Sequence, residues 1–152
     1  MKKLIFIIAT LFAILTNAQW KGTTSNDDQR TMMIQRHLDL YLKNDQSQLK
    51  NIFSEEASIN VNGTDISPKE LADFERMHHK IFKDIKFQIG ANITSKYENG
   101  QIWTHVWAYW SGEGKKSKET GTIPVHLSFA WEGLKSNNAF FMFDPTFINQ
   151  EV

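Results

Sequence analysis

The chain has no cysteine and only three prolines among its 152 residues. The missing cysteine excludes disulfides, a thiolate nucleophile and cysteine-ligated metal centres. An excess of one charge sign is missing too, since 17 Lys and Arg balance 17 Asp and Glu. Nothing resembles the basic footprint of a nucleic-acid binder, so no nucleic-acid partner is expected. There is no GxSxG elbow, no phosphate-binding loop and no GxGxxG turn, and no cofactor is expected. Long apolar runs are absent with one exception. "LIFIIATLFAIL", Leu4 to Leu15, is too short to cross ~30 Å of hydrocarbon.

That run, preceded by Lys2 and Lys3 and followed by "TNA" ending in Ala18, has the layout of a bacterial export signal. Residues 1–18 are read as a cleaved signal peptide, residues 19–25 as a flexible leader, and 26–152 as one domain. Cleavage removes two of the 17 basic residues and none of the 17 acidic ones, leaving a net charge of −2. The expected location is periplasmic or secreted, with no membrane contact after cleavage. A mature chain whose intact mass starts at Gln19 would be the signature.

Aromatic residues are abundant, and "WTHVWAYW", Trp103 to Trp110, holds three of the five tryptophans. The surrounding periodicity gives the elements. From Asn26 to Lys43, apolar residues recur at three- and four-residue steps as in a helix, with Ser25 as the expected N-cap. A short helix through Leu49, Ile52 and Phe53 follows, then a brief strand in "ASINVNG". In "SPKE", Ser67 can cap, Pro68 suits the first helical position and Glu70 closes a capping box. Beyond this third helix the period becomes two. Four strands are expected, in "IKFQIGANIT", "IWTHVWAYW", "TIPVHLSFAW" and "AFFMFDPTFI". Helices first and a strand meander afterwards predict an α+β domain with about three N-terminal helices on one face of a strongly curved, mixed or antiparallel sheet.

With "LYLKNDQSQLKNIFSEEASI", "SPKELADFERM", "WAYWSG" and "HLSFAWEG", this order resembles the NTF2-like superfamily, on its SnoaL-like and ketosteroid-isomerase-like side. The resemblance implies a conical pocket between sheet and helices. It also implies where steroid-isomerase chemistry would sit. The tyrosine position falls on His37, the carboxylate base on Val61 and the protonated acid on Leu127. Both carboxyl positions are aliphatic here, so that reaction is not expected.

The same resemblance turns Thr104, Val106, Ala108 and Trp110 into the cone, together with Val125, Leu127 and Phe129, and with Phe140, Met142 and Asp144 from the last strand. His37 and Glu75 would reach the cavity from the helices. The expected ligand is a small apolar molecule, in a pocket of roughly several hundred Å³. The ligand-binding set is His37, Glu75, Val106, Trp110, Leu127, Phe129, Met142 and Asp144. The alternative is a SnoaL-type enzyme with His37 and Asp144 as the acid–base pair.

Strand alternation sends Trp103, His105, Trp107 and Tyr109 to the opposite, convex face, an aromatic ridge for the C-terminal segment or, in a homodimeric interaction module, a second copy of the chain to cover. A one-residue bulge in this strand would exchange its two faces. The adjacent pair His78 and His79 diverges on a helix, and His105 and His126 sit on neighbouring strands. Two histidines are a weaker zinc signal than HExxH, and no metal is expected.

Overall fold

The computed structural model describes residues 21–152. The proposed signal peptide, with Gln19 and Trp20, lies outside the described residues. The elements are β1 (Gly22–Ser25), α1 (Gln29–Tyr41), α2 (Leu49–Ile52), β2 (Phe53–Val61), β3 (Thr64–Ile66), α3 (Pro68–Ile81), β4 (Phe82–Tyr97), β5 (Ile102–Gly114), β6 (Thr120–Glu132), β7 (Lys135–Phe143) and α4 (Thr146–Glu151). Seven strands form one sheet in the order β1-β4-β5-β6-β7-β2-β3. Every neighbouring pair is antiparallel except β2 with β7. The α+β class with helices packed on a mixed sheet is therefore the observed one. Among the described residues no helix is long and apolar enough to cross a membrane.

The start of α3 follows its sequence. Ser67 Oγ accepts from the Glu70 amide at 3.2 Å, and the Glu70 carboxylate accepts from the Ser67 amide at 2.8 Å, so both halves of the capping box are made. The start of α1 differs from expectation. Gly22–Ser25 is no leader but an edge strand, with Ser25 opposite Thr94. That pairing commits Ser25 to the sheet, and Asp28 caps α1 instead, accepting from the Arg30 amide at 2.9 Å.

β5 and β6 pair without interruption from Trp103–Ala130 to Glu113–Thr120. The bulge that would have exchanged the faces of β5 lies in β4 instead, between Ile89 and Ala91. Thr104, Val106, Ala108 and Trp110 thus face inward and are buried, while Trp107 and Tyr109 are 43% and 55% exposed. Ile34, Leu38 and Leu71 from the helices complete the core against Val106, Leu127 and Phe129.

In β7 the expected register is wrong by one residue. Phe141 stands opposite Leu127, and directly paired residues share a face, so Ala139, Phe141 and Phe143 turn inward. Phe140 and Met142 lie on the outer face, 41% and 50% exposed. "AFFMF" is apolar at both parities, so alternation carries no signal there. The last helix, α4, was also not anticipated. It closes over Gly114 and Gly121, where a β-carbon would collide with Glu151 and Phe147. The Glu151 carboxylate holds it down by accepting from the amides of Lys116 and Ser117 at 2.9 and 3.1 Å.

Candidate functional site

Between α1, α3 and the inner face of the sheet lies a cavity of about 70 Å³. Its walls are largely apolar: Leu71, Phe74, Phe87, Val125, Leu127, Phe141, Phe143 and Ile148. The volume is far below the several hundred Å³ expected. The correction has a visible cause. Phe141 and Phe143, turned inward by the register of β7, occupy the space that Phe140 and Met142 were expected to border.

Four functional groups line this cavity from the helices and one from the sheet. α1 supplies His37 and Tyr41, four residues apart on one helical face, and α3 supplies Glu75 and His78, three apart. β5 supplies Trp110. They form two buried hydrogen-bonded groups. In the first, His37 Nε2 meets Glu75 Oε1 at 2.9 Å. A carboxylate can only accept, so the imidazole donates. In the second, Trp110 Nε1–H donates to the Tyr41 hydroxyl at 2.8 Å, and that hydroxyl lies 3.0 Å from His78 Nδ1.

Burial pushes the Tyr41 phenol up, so it keeps its proton. It does the reverse to a cation: burial, with His79 beside it, pulls the His78 imidazole down to about 4. His78 is therefore neutral near pH 7. Trp110 supplies one hydrogen to the Tyr41 oxygen, which leaves the phenol proton available to His78 Nδ1; in that arrangement the imidazole carries its own proton on Nε2. Three side-chain atoms around the cavity have no protein hydrogen-bond partner: His37 Nδ1, Glu75 Oε2 and His78 Nε2. Their residues are only 3%, 6% and 7% exposed.

Of the expected ligand-binding residues, His37, Glu75, Trp110 and Leu127 line the cavity. Val106 and Phe129 face the right side of the sheet but are fully buried in packed core. Met142 lies on the outer face, and Asp144 is exposed beyond the end of β7. The expected His37–Asp144 pair is not formed. Asp144 accepts from the Thr146 amide at 2.9 Å just before α4, and hydrogen bonding from the Thr146 side chain and amide holds its carboxyl below the usual range. Glu75 takes its place beside His37.

Tyr41 and His78 were missed because each falls within a helical stripe that reads as core. The signal that could have found them is that each helix puts two polar side chains, not one, on its apolar face. Among the described residues no group of three or more His, Asp or Glu is placed to hold a metal ion. On the outer face, His105 Nδ1 and His126 Nε2 share the Ser128 hydroxyl at 2.9 and 3.2 Å. Trp107 stacks on His126 with ring centroids 4.9 Å apart.

No family model matches the chain, and no curated protein matches it by sequence. Solved structures do. A proposed SnoaL-like polyketide cyclase from Jannaschia superposes with a TM-score of 0.64 at 10% identity, over 82% of this chain and 91% of that one. An NTF2-like protein from Burkholderia pseudomallei gives 0.64 at 10% identity, over 82% and 98%. An NTF2-like superfamily protein from Salmonella enterica gives 0.61 at 15% identity, over 74% and 86%. These likenesses show the NTF2-like cone fold.

Proposed function

We propose that the protein is a small-molecule enzyme in which the His37–Glu75 pair moves a proton on a compact, largely apolar molecule held in the cone. The observation that carries this reading is the set of three unpartnered polar atoms, His37 Nδ1, Glu75 Oε2 and His78 Nε2, around one apolar cavity. A buried polar atom without a partner costs about 1–3 kcal/mol. Three at one place form a site that a ligand's polar group completes. Apolar walls with a few convergent polar groups are the usual make-up of a small-ligand site.

The division of labour follows from the bonds already made. Glu75 Oε1 is held by His37, which orients the carboxylate and leaves Oε2 with a free lone pair. Oε2 takes the proton, the electron pair of the broken bond stays on the ligand, and His37 keeps the carboxyl oriented through its bond to Oε1. The apolar walls exclude water from the transfer. A fold shared with a proposed SnoaL-like cyclase fits this reading but does not supply it, since one fold hosts many chemistries.

Deuterium uptake from D₂O into small ketones and aldehydes, followed by NMR, tests the proposal. Glu75→Gln keeps size and shape but removes the base. It is expected to slow uptake by roughly a hundredfold or more, the usual contribution of a positioned base. Equal uptake by both proteins would overturn the enzyme reading. Background uptake by both, with a co-purified molecule seen in native mass spectrometry, would instead make the cone a binding module.

A second reading concerns the outer face, and we infer that a second copy of the chain covers it. Trp103, His105, Trp107 and Tyr109 of β5 adjoin Pro124, His126 and Ser128 of β6 and Phe140 and Met142 of β7. None of these carries a carboxylate, ammonium or guanidinium group. A two-fold interface sets a surface against itself, so any fixed charge near its centre meets its own image. A charge-free aromatic patch suits that arrangement.

A further inference from the structure

We infer that His78 is the ligand-oxygen donor of the cavity, and that the Trp110–Tyr41–His78 chain makes the site selective for a neutral molecule bearing a hydrogen-bond acceptor, a carbonyl above all. The inference rests on the cavity proposed above as the reaction site, but not on any proton being transferred there.

Its basis is the direction of each bond. An indole N–H can only donate, so Trp110 fixes the Tyr41 oxygen as acceptor across 2.8 Å. The phenolic hydrogen is then available to His78 Nδ1, 3.0 Å away, and we take it to lie there. A ring nitrogen that accepts bears no hydrogen, so the neutral imidazole must carry it on Nε2. The sequence of two donations thus fixes a tautomer that imidazole alone does not prefer strongly. His78 lines the cavity and is 93% buried by the exposure of 7%, with Nε2 unpartnered. Phe74 and Trp110 crowd the ring at centroid distances of 4.4 and 5.7 Å, which holds its orientation. Burial, which keeps the imidazole neutral, also prevents it from acting as a cation toward a carboxylate.

Glu75 Oε2 has the opposite character, since a carboxylate oxygen only accepts. His78 Nε2–H and Glu75 Oε2 are thus a donor and an acceptor on one cavity. A ligand oxygen without a hydrogen can satisfy His78 but not Glu75. That asymmetry gives the cavity a polarity: the acceptor end of the ligand lies at His78 and the group that yields a proton at Glu75. Tyr41 and Trp110 are positioning residues in this scheme, because they act through His78.

The test uses protein with ¹⁵N-labelled histidine, and two probes of one shape: cyclobutanone, and methylenecyclobutane, in which CH₂ replaces the oxygen. Long-range ¹H–¹⁵N spectra are expected to show His78 as the Nε2–H tautomer. Cyclobutanone should shift its Nε2 signal and bind roughly tenfold more tightly to the wild type than to Tyr41→Phe, the value of one net hydrogen bond. Methylenecyclobutane should bind both proteins alike. An Nδ1–H tautomer in the wild type would overturn the inference without any variant. So would equal affinities for ketone and alkene, a solvent water on Nε2 that the ketone does not displace, or no binding of either probe. Ketone binding as expected without deuterium uptake would support the donor role while overturning only the proton-transfer reading.

Discussion

At the scale of single residues, the polar groups of the cavity cost the fold stability. His78 shows the cost in a measurable form. Its imidazole is held at about 4 in the folded chain, against an ordinary value of 6.5. The folded state therefore binds fewer protons than the unfolded one between those limits. Stability is fully present above pH 6.5 and falls as the pH drops through 6.5 toward 4, by about 3 kcal/mol in all. Chemical denaturation at stepped pH checks this. His78→Gln, which cannot protonate, is expected to flatten the slope in that window. An unchanged slope would mean that His78 is not the group responsible. Glu75 and Asp144 make a second lesson. Both were candidate carboxylates, but only Glu75 sits on an element that packs against His37. Asp144 was placed in the cone as part of the last strand, but that strand ends at Phe143 and a helix starts at Thr146.

Elements were legible wherever the chain carried its own boundary signals. The α3 start is the clearest example, because Ser67, Pro68 and Glu70 act on neighbours within one turn. Ser67→Ala removes the cap bond and is expected to cost about 1 kcal/mol, lowering the thermal midpoint by about 4 °C. A midpoint unchanged within a degree would show that tertiary packing alone holds that end. β6 was legible from alternation and β5 from the resemblance, and their inner residues are the buried ones. Three elements were not. β1 has no apolar parity and exists because β4 offers it an edge. β3 is a three-residue strand closing a hairpin on β2 through Asn62 and Gly63, both at positive φ. α4 is six residues long and is held by contacts with the β5–β6 loop far away in sequence.

At the scale of the whole molecule the question is what lies against the outer face of the sheet. With Trp107 and Tyr109 at the surface, a second copy is expected to dock there, and sedimentation at micromolar concentration and pH 7.5 should show a dimer. Trp107→Glu places paired charges near the two-fold axis and should yield a monomer with an unchanged melting profile of the fold. The same face contains its own acid sensitivity. Burial lowers the imidazoles of His105 and His126, and His126 adds repulsion to His105. Docking buries both further, so association is favoured by their neutral forms and weakens as the pH falls below the ordinary histidine range. A wild-type monomer at pH 7.5 at every concentration would dispose of the covered-face reading.

Local chemistry in the sequence determined the helix order, the α3 cap and the inward parity of β6, while the resemblance to known cones supplied the inward parity of β5 and the placing of His37 and Glu75. Each local signal depends on residues a few positions apart, where spacing converts directly into direction. Tertiary structure alone decided the rest. Pairing with β6 chose the parity of β7, and so put Phe141 and Phe143 into the cone and shrank the cavity. The packing of α1 against α3 joined His37 to Glu75 rather than to Asp144, and brought Tyr41 between His78 and Trp110. Those partners are 37 to 69 residues apart. No periodicity within one element reports a contact made across such separations, because it depends on where two rigid elements come to rest.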